Sequence, residues 1–551
     1  MNSAAPRVAL HARAWRPWIS ASGVVALLAA LPVASLAVAA ARWSDSLWDH
    51  LLAYVLPAAM RDTLVLLAGV GVLAAAIGTS TAWLVTAFDF RGRRVFEWAL
   101  LLPLAVPTYV ISYAYLDILH PVGPVQNTLR AVLGYDSPRD FRLPEIRSMT
   151  GCILLLGFVL FPYVYLATRA MFMMQAANLV EVARTLGAGH RELFLRVAVP
   201  LARPALASGV ILVLLETLND IGASEFLGVR TLTVSIYSTW VTRSDLAGAA
   251  QLTLAMVSVI VVLVLAERYV RRQRRYTNDA QHPRPLVPQR LYGAGAAGAW
   301  LVCATPVAIG FLIPASYLVH AAVVRVRAAG VGRAILDETL NTLALSAVAT
   351  VLTVACGIVV AYATRVHPGR ASGLFSRTAS IGYALPGTVL AIGILPVITS
   401  LDALIDGASL FVRGTGTGLL LLGAGVAVVY AYMVRFLTLA VGGVEAGLTR
   451  ISPSLDDAAR TLGRSVGHRL WHIHLPLLRP AVAAAALLVF VDCMKELPAT
   501  LLLRPLGVET LATHLYGEAA RGTYEDGAVA ALLIVLTGLL PVAMLARIGR
   551  P

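Results

Sequence analysis

Long apolar stretches recur along the whole chain, and each is about 20 residues long, the length that an α-helix needs to cross the hydrocarbon core of a bilayer. Twelve such stretches can be counted in the 551 residues. Hydrophobic residues make up 58% of the chain and charged residues only 13%, which is too apolar for a soluble multidomain protein. We therefore predict an all-α polytopic membrane protein with about twelve transmembrane helices.

The arginines of the connecting segments predict the orientation of these helices. If the amino terminus is cytoplasmic, the inner segments contain 27 arginines against 9 acidic residues, and the outer segments contain 14 against 16. The positive-inside rule selects this arrangement, with both termini in the cytoplasm. Topology therefore explains the net charge of +14, and we expect no nucleic-acid partner. The first stretch is longer than a signal-peptide core, which favours a retained helix over a cleaved one.

The chain contains an internal repeat. Residues 181–187 correspond to residues 457–463 at an offset of 276, and further upstream an offset of 279 pairs Gly78 with Gly357. The repeat predicts two parallel halves of six spans each, at 1–266 and 292–551. A basic segment that contains three prolines, 267–291, is predicted to be a cytoplasmic linker between them, and a lipid-binding patch is the alternative.

Each half carries one copy of the pattern acidic-x-Ala-x3-Gly-x9-aliphatic-x-aliphatic-Pro, on the predicted cytoplasmic side. Alanine allows close approach of helices, glycine permits a turn, and proline restricts the backbone at the start of the next span. The pattern resembles the EAA loop of binding-protein-dependent importer permeases, at about 176–205 and 445–481. Its positions are Glu181, Ala183, Gly187 and Pro200 in the first loop, and Asp457, Ala459, Gly463 and Pro476 in the second.

This resemblance implies a type I ABC importer permease fold in a bacterial inner membrane. It further implies that the EAA loops dock two ATP-binding subunits on the cytoplasmic side, and that a periplasmic binding protein delivers the substrate for transport by alternating access. The chain has one lysine, Lys495, which is followed by Glu496, so it has no Walker A loop. We expect no catalytic residue and no cofactor in this chain, and the use of ATP and Mg²⁺ by the partner ATPase.

Acidic residues occur inside two apolar stretches, as Glu216 with Asp220 and Asp492 with Glu496, and Lys495 lies beside the second pair. A spacing of four predicts that each pair shares one helix face. Charges in a membrane usually face a bundle interior or an aqueous path, so all five residues are candidates for the substrate pathway. The alternative is a structural role, as helix caps or in an ion pair of Lys495 with Asp492 or Glu496.

Histidines also occur close together, at positions 468, 472 and 474 in the second EAA loop. No acidic partner is expected near them. We therefore interpret them as an ordinary polar helix face and assign no metal site.

The segments 216–237 and 495–505 resemble the corresponding parts of ferric-iron importer permeases. This resemblance implies that a periplasmic iron-binding protein delivers Fe³⁺ to the chain. Related permeases that carry thiamine, sulfate, phosphonate or polyamine leave the substrate open. An ion-coupled secondary transporter is the main alternative class, since acids inside a membrane can carry protons. The duplicated EAA pattern argues against the secondary transporter. A membrane enzyme is less favoured still, because the sequence has no nucleophile, acid–base or metal constellation on either face.

Overall fold

The computed structural model describes residues 15–41, 48–174, 187, 189–272, 288–330 and 332–548, and these residues are mostly helical. The helices before the predicted linker are α1 (Arg16–Ala40), α2 (Leu51–Ala87), α3 (Arg93–Ala99), α4 (Thr108–Ile118), α5 (Pro124–Leu133), α6 (Met149–Met174), α7 (Leu193–Asn219), α8 (Gly222–Phe226), α9 (Leu232–Val241) and α10 (Leu246–Arg272). Those after it are α11 (Gly293–Ala329), α12 (Arg333–Val366), α13 (Arg370–Ala379), α14 (Gly387–Arg413), α15 (Leu420–Gly423), α16 (Val426–Leu448), α17 (Pro453–Thr461), α18 (Val466–Met494), α19 (Pro498–Leu503), α20 (Leu511–Arg521) and α21 (Ala528–Ile548). Two short strands, β1 (Phe88–Asp89) and β2 (Gln289–Arg290), pair in parallel.

Helices coincide with all twelve predicted spans. Within the described ranges, ten helices are long and apolar enough to cross a membrane. The helices 93–105 and α4, bent by 90°, are apolar enough to count as an eleventh if the pair forms one broken span, and α21 contains a shorter apolar helix, Ala528–Met544. The bend falls at Pro107, whose ring restricts the backbone on its amino-terminal side. The predicted fold class is therefore confirmed.

The helices form two compact units that do not follow the sequence halves. The first unit comprises residues 1–44, 239–254 and 336–510, and the second comprises 45–238, 255–335 and 511–551. In the first unit, α1 packs against α13 and α14, and Tyr430 of α16 donates a hydrogen bond of 2.6 Å to the carbonyl of Leu28. In the second unit, Tyr115 of α4 donates one of 2.8 Å to the carbonyl of Ile309 in α11. The boundaries of the repeat stay a prediction about the sequence, and residues 273–287 of the linker lie outside the described ranges.

Equivalent glycines lie at a close helix crossing in each unit. A Cβ on Gly78 of α2 would lie 2.7 Å from the Val164 side chain and 2.9 Å from the Phe161 carbonyl oxygen. A Cβ on Gly357 of α12 would lie 2.7 Å from the Ala440 side chain of α16. Because lipid gives helices no hydrophobic reason to associate, close backbone packing at small residues holds such pairs together. The repeat at offset 279 thus corresponds to a repeated packing contact.

Among the described residues, four helices contain one widened, π-helical turn, and each turn lies just before a proline. These turns are Leu51–Val55, Leu193–Ala198, Ala308–Leu312 and Leu470–His474, and they precede Pro57, Pro200, Pro314 and Pro476. Proline donates no hydrogen bond, and its ring clashes with the carbonyl four residues earlier. A widened turn accommodates both effects without ending the helix. Pro200 and Pro476 therefore shape the first turns of α7 and α18, as the sequence pattern predicts.

The structure corrects the interpretation of the two acidic pairs. Helix α7 ends at Asn219, and Asp220 follows in an extended conformation with a ψ of 124°. Helix α18 ends at Met494, so Glu496 also lies beyond its helix. The prediction that each pair shares one helix face is therefore wrong, because the second acid of each pair lies two residues before the short helix that follows, α8 or α19.

Candidate functional site

The second EAA loop is a helix, a glycine turn and a second helix. Ser452 caps α17 by accepting a hydrogen bond from the Ser454 backbone, and α17 ends before Gly463. Gly463 has a φ of +71°, in the left-handed region that glycine adopts at the lowest cost. Ser465 then caps α18, which continues through Pro476. The predicted glycine turn is confirmed.

The first EAA loop is described in part. Gly187 has a φ of +83°, so the same left-handed turn occurs at the equivalent position. Pro200 lies in α7 directly after the widened turn. Glu181 and Ala183 lie outside the described residues.

An apolar stripe lies on the exposed face of α17. Leu455, Ala458 and Leu462 are spaced by three and four residues, so they share one helix face, and Leu462 is 77% exposed. Ala459, next to Ala458, is buried, and Asp457 is exposed in a 3.6 Å ion pair with Arg460. Leucines exposed on a polar surface helix are typical of a contact with another protein. The sequence of the first loop has Leu179, Val182 and Leu186 at the equivalent positions.

A buried ionic network holds α17 against its neighbours. Asp456 accepts hydrogen bonds from Arg365 Nη2 at 2.9 Å and Nε at 3.1 Å, and from Arg469 Nη1 at 3.0 Å. Its Oδ1 also lies 3.3 Å from His474 Nε2. Arg365 further donates to the carbonyls of Leu448 and Ile451, at the end of α16. The network therefore connects α17 to the two spans α12 and α18.

The expectation that the histidines lack an acidic partner is wrong for His474, which is fully buried beside Asp456 and meets the ring of Tyr362 edge-on. His468 and His472 are stacked on the surface with ring centres 4.1 Å apart, as expected of a polar helix face.

The first half of the chain lacks the charged residues of this ionic network. At the positions equivalent to Arg365, Asp456, Arg469 and His474 it has Thr86, Val180, Leu193 and Ala198. The charged network therefore belongs to the second half alone in the sequence.

Asp220 caps the short helix α8. One carboxylate oxygen accepts hydrogen bonds from the Ser224 backbone at 2.9 Å and its hydroxyl at 3.2 Å. The other oxygen accepts one of 2.5 Å from the Thr108 hydroxyl, at the start of α4. The side chain is buried, and these bonds satisfy the Ser224 N–H in the first turn of α8 while they connect α8 to α4.

Glu496 caps α19 in the same way. It accepts hydrogen bonds from the backbone of Ala499 at 3.0 Å, and from the backbone and hydroxyl of Thr500 at 3.1 and 2.8 Å. Where Asp220 accepts a hydrogen bond from the Thr108 hydroxyl, Glu496 accepts one of 2.9 Å from Arg435 Nη1 of α16. The residue equivalent to Thr108 is Gly387, where a Cβ would lie 2.5 Å from both the Arg435 and Glu496 side chains. The absent side chain leaves the space that the guanidinium occupies.

The remaining two acids are half-buried in their helices. Asp492 forms an ion pair of 2.8 Å with Lys495, which confirms one of the two ion pairs considered from the sequence. Glu216 lies near the end of α7. Their roles in a substrate pathway stay predictions.

The sequence does not indicate the residues that hold the candidate site residues in place. The partners of Asp220 and Glu496 are 112 and 61 residues away, so spacing along the chain does not indicate them. A signal was available for the caps, because Pro498 is favoured at the start of a helix and an acid precedes it. In the part of the chain that the structure describes, no group of three or more His, Cys, Asp and Glu side chains is placed to hold a metal ion.

Comparison with known proteins agrees with this arrangement. Residues 69–276 and 353–549 match the family described as binding-protein-dependent transport system inner membrane component. The chain is 24% identical over 491 residues to the Fe(3+)-transport system permease protein FbpB 2 of Haemophilus influenzae, covering 89% of each chain. It is 23% identical to the putative ferric transport system permease protein FbpB 1 of the same organism, over 81% of this chain and 70% of the relative. A putative 2-aminoethylphosphonate transport system permease protein, PhnV of Salmonella typhimurium, is 28% identical over 39% of this chain and 75% of its own length.

Two copies of one family domain, each with an EAA loop that turns at a left-handed glycine, account for most of the chain. Its relatives are transport permeases, and the family works with an ATPase and a substrate-binding protein. The chain belongs to the family of binding-protein-dependent transport system inner membrane components, and it is a multi-pass permease subunit of an ABC importer.

Proposed function

We propose that this chain is the permease of an ATP-driven importer that moves ferric iron, delivered by a periplasmic Fe³⁺-binding protein, into the cytoplasm by alternating access. The observation that carries the proposal is the match to a ferric-iron transport permease over 89% of both chains. The match includes both halves of the chain.

A phosphonate importer is the second candidate. The 2-aminoethylphosphonate permease is slightly more similar where it aligns, at 28% identity, but it covers 39% of this chain. A ferric relative that aligns over both halves supports iron more strongly, because the substrate path of such a permease lies where its repeats meet.

ATP is hydrolysed by a separate subunit, of which two copies bind, one at each EAA loop. In the second loop the exposed stripe Leu455, Ala458 and Leu462 forms the contact, and Asp457 lies beside it. Glu181, Ala183 and Gly187 take part in the first loop, and Gly463 fixes the angle between α17 and α18 in the second. Both termini are cytoplasmic in this arrangement.

The membrane carboxylates have two different roles. Asp220 and Glu496 hold α8 and α19 in position, because their oxygens already accept several hydrogen bonds each. Glu216, Asp492 and Lys495 are half-buried, and they set the charge of the path along which the substrate moves. A path of this kind conducts when binding is favourable enough to admit the ion and weak enough to release it.

The ATPase rate of the reconstituted complex tests this proposal. The complex contains the chain, its ATPase and its binding protein in lipid vesicles. We expect the Fe³⁺-loaded binding protein to stimulate ATP hydrolysis over the unloaded protein, and 2-aminoethylphosphonate to have no effect. Stimulation by the phosphonate and not by Fe³⁺ would replace iron by the second candidate. The Gly463→Pro variant, in which the EAA turn cannot form, serves as the uncoupled control.

A further inference from the structure

A carboxylate and two phenol groups meet beside the capped helix α8. Glu225 of α8 accepts a hydrogen bond of 2.5 Å from the hydroxyl of Tyr516 in α20. The Tyr516 ring meets the Tyr237 ring of α9 nearly edge-on, with centres 6.1 Å apart, and the two hydroxyl groups interact. The Phe226 ring lies tilted against the Tyr516 ring, with centres 5.5 Å apart. All of these residues belong to the second compact unit.

The two tyrosines are equivalent in the internal repeat. Tyr237 and Tyr516 are separated by 279 residues, the offset found elsewhere in the repeat, and each lies six residues after the threonine of a Thr-Leu pair, 231–232 or 510–511. Each half therefore supplies the same side chain to one place. Neither tyrosine takes part in the helix caps or in the EAA loops.

The cluster is partly accessible and acidic. Glu225 and Tyr237 are half-buried, and Tyr516 is 9% exposed. The described contacts of the Glu225 carboxylate include no cation, whereas Asp492, Glu496 and Asp456 each have one. Burying a carboxylate without a cation costs free energy, so a site of this composition favours a cationic ligand.

The donor atoms identify the class of cation. Carboxylate and phenolate oxygens are hard donors, which prefer small, highly charged cations over soft ones. His and Cys side chains suit softer metals. In the described part of the chain they form no group of three or more that could hold a metal ion. We propose that Glu225, Tyr237 and Tyr516 form a transient binding site for Fe³⁺ on the transport path. The inference rests on the proposed function and names a site for its substrate.

Binding at this site is an exchange of ligands with no change of oxidation state. Fe³⁺ forms bonds to a Glu225 oxygen and to the two phenolate oxygens as its bonds to three water or carrier ligands break, and each phenol releases its proton to water. The hydrogen bond from Tyr516 to Glu225 is lost as the Fe–O bonds form. Three protein donors leave coordination positions to water, so the ion can also leave, as a transport path requires.

Visible absorption of the purified chain in lipid nanodiscs, titrated with ferric citrate, tests the site. Tyrosinate bound to Fe³⁺ produces a charge-transfer band that citrate alone does not. We expect the band in the unaltered chain, a weaker one in Y237F or Y516F, and none in the double variant. Y430F is the control, because its hydroxyl donates to the Leu28 carbonyl in the other unit. We expect it to keep the full band.

Transport by the same variants separates the site from the proposed function. Uptake of Fe³⁺ by the double variant should fall about tenfold or more, the usual effect of weakening a metal site. E225Q should lower uptake similarly, with the ATPase still bound. A band that persists in the double variant, or an unchanged uptake rate, overturns the site and leaves the proposed function standing. If the unaltered complex takes up no Fe³⁺, the proposed function fails and the site fails with it.

Discussion

Arg435 Nη1 lies 2.9 Å from Glu496 Oε1, in the place where the first half of the chain has the Thr108 hydroxyl 2.5 Å from Asp220. The two capped helices thus share a carboxylate cap but differ in the donor that connects the cap to the rest of its unit. A charged donor in one half and a neutral donor in the other make the two halves electrostatically unequal at equivalent positions. A transporter built from a repeat can in this way differentiate its halves without changing the backbone.

Removing the arginine should destabilise the chain. In the Arg435→Ala variant, Glu496 keeps its backbone donors but loses its cation, and breaking a buried pair costs about 3–5 kcal/mol. We expect a lower thermal unfolding temperature in detergent. The exposed pair of Arg61 with Asp62 provides the control, since Arg61→Ala should change stability by at most about 1 kcal/mol.

The first half provides a compensating variant. Val159 and Thr108 are equivalent to Arg435 and Gly387, so the double variant Gly387→Thr and Arg435→Val reproduces the neutral cap. It should recover part of the lost stability, whereas Gly387→Thr alone should not fold well, because its Cβ meets both charged side chains. Equal stability of Arg435→Ala and the double variant would contradict this account of the cap.

The ionic network of the second EAA loop makes a second prediction. Asp456→Val leaves Arg365 and Arg469 buried without their carboxylate, which should cost about 3–5 kcal/mol. Replacing all four members by the residues of the first half, with Arg365→Thr, Asp456→Val, Arg469→Leu and His474→Ala, should restore much of that stability. Asp457→Asn, at an exposed neighbour, is the control for loss of a charge. The thermal unfolding temperatures of the three variants test this prediction. A quadruple variant less stable than Asp456→Val would contradict it.

The sequence predicted the spans, the repeat and the glycine turns because each depends on local pattern. Apolar length identifies a span, and a repeated glycine marks a required backbone conformation. The capping role of Asp220 depends on where α7 ends, and hydrophobic periodicity predicts the ends of helices poorly. Asp456 and His474 are 18 residues apart on different helices, and their contact requires the tertiary fold. Local pattern therefore indicates individual residues, whereas their tertiary partners become visible only in the fold.

The turn of the second EAA loop should be sensitive to residue type. Gly463 has a φ of +71°, which costs any other L-residue about 1–2 kcal/mol and is closed to proline. We expect Gly463→Pro to reduce ATPase copurification and uptake while the chain remains in the membrane. Gly467→Ala is the matched control, because this glycine lies in a helix and a Cβ added there would meet no atom within 4 Å. Normal uptake in Gly463→Pro would contradict the coupling role of the loop.

The exposed stripe of α17 should bind the ATPase. Leu462→Glu places a charge where we expect an apolar contact, so the ATPase should dissociate more readily while thermal stability stays unchanged. Leu506, which is fully exposed beyond α19, is the control site for the same substitution. Binding can be measured as the dissociation constant of the purified ATPase for the chain in nanodiscs. Equal weakening by both substitutions would assign the effect to solubility rather than to the contact.

We propose that this chain moves ferric iron through the membrane with energy from ATP. Accumulation of radiolabelled Fe³⁺ in vesicles that contain the chain, its ATPase and its binding protein, compared with and without ATP, measures this directly. We predict accumulation that requires ATP, the binding protein and an intact Gly463 turn. Accumulation that proceeds without ATP, or ATP hydrolysis stimulated by the loaded binding protein with no iron inside the vesicles, would contradict it.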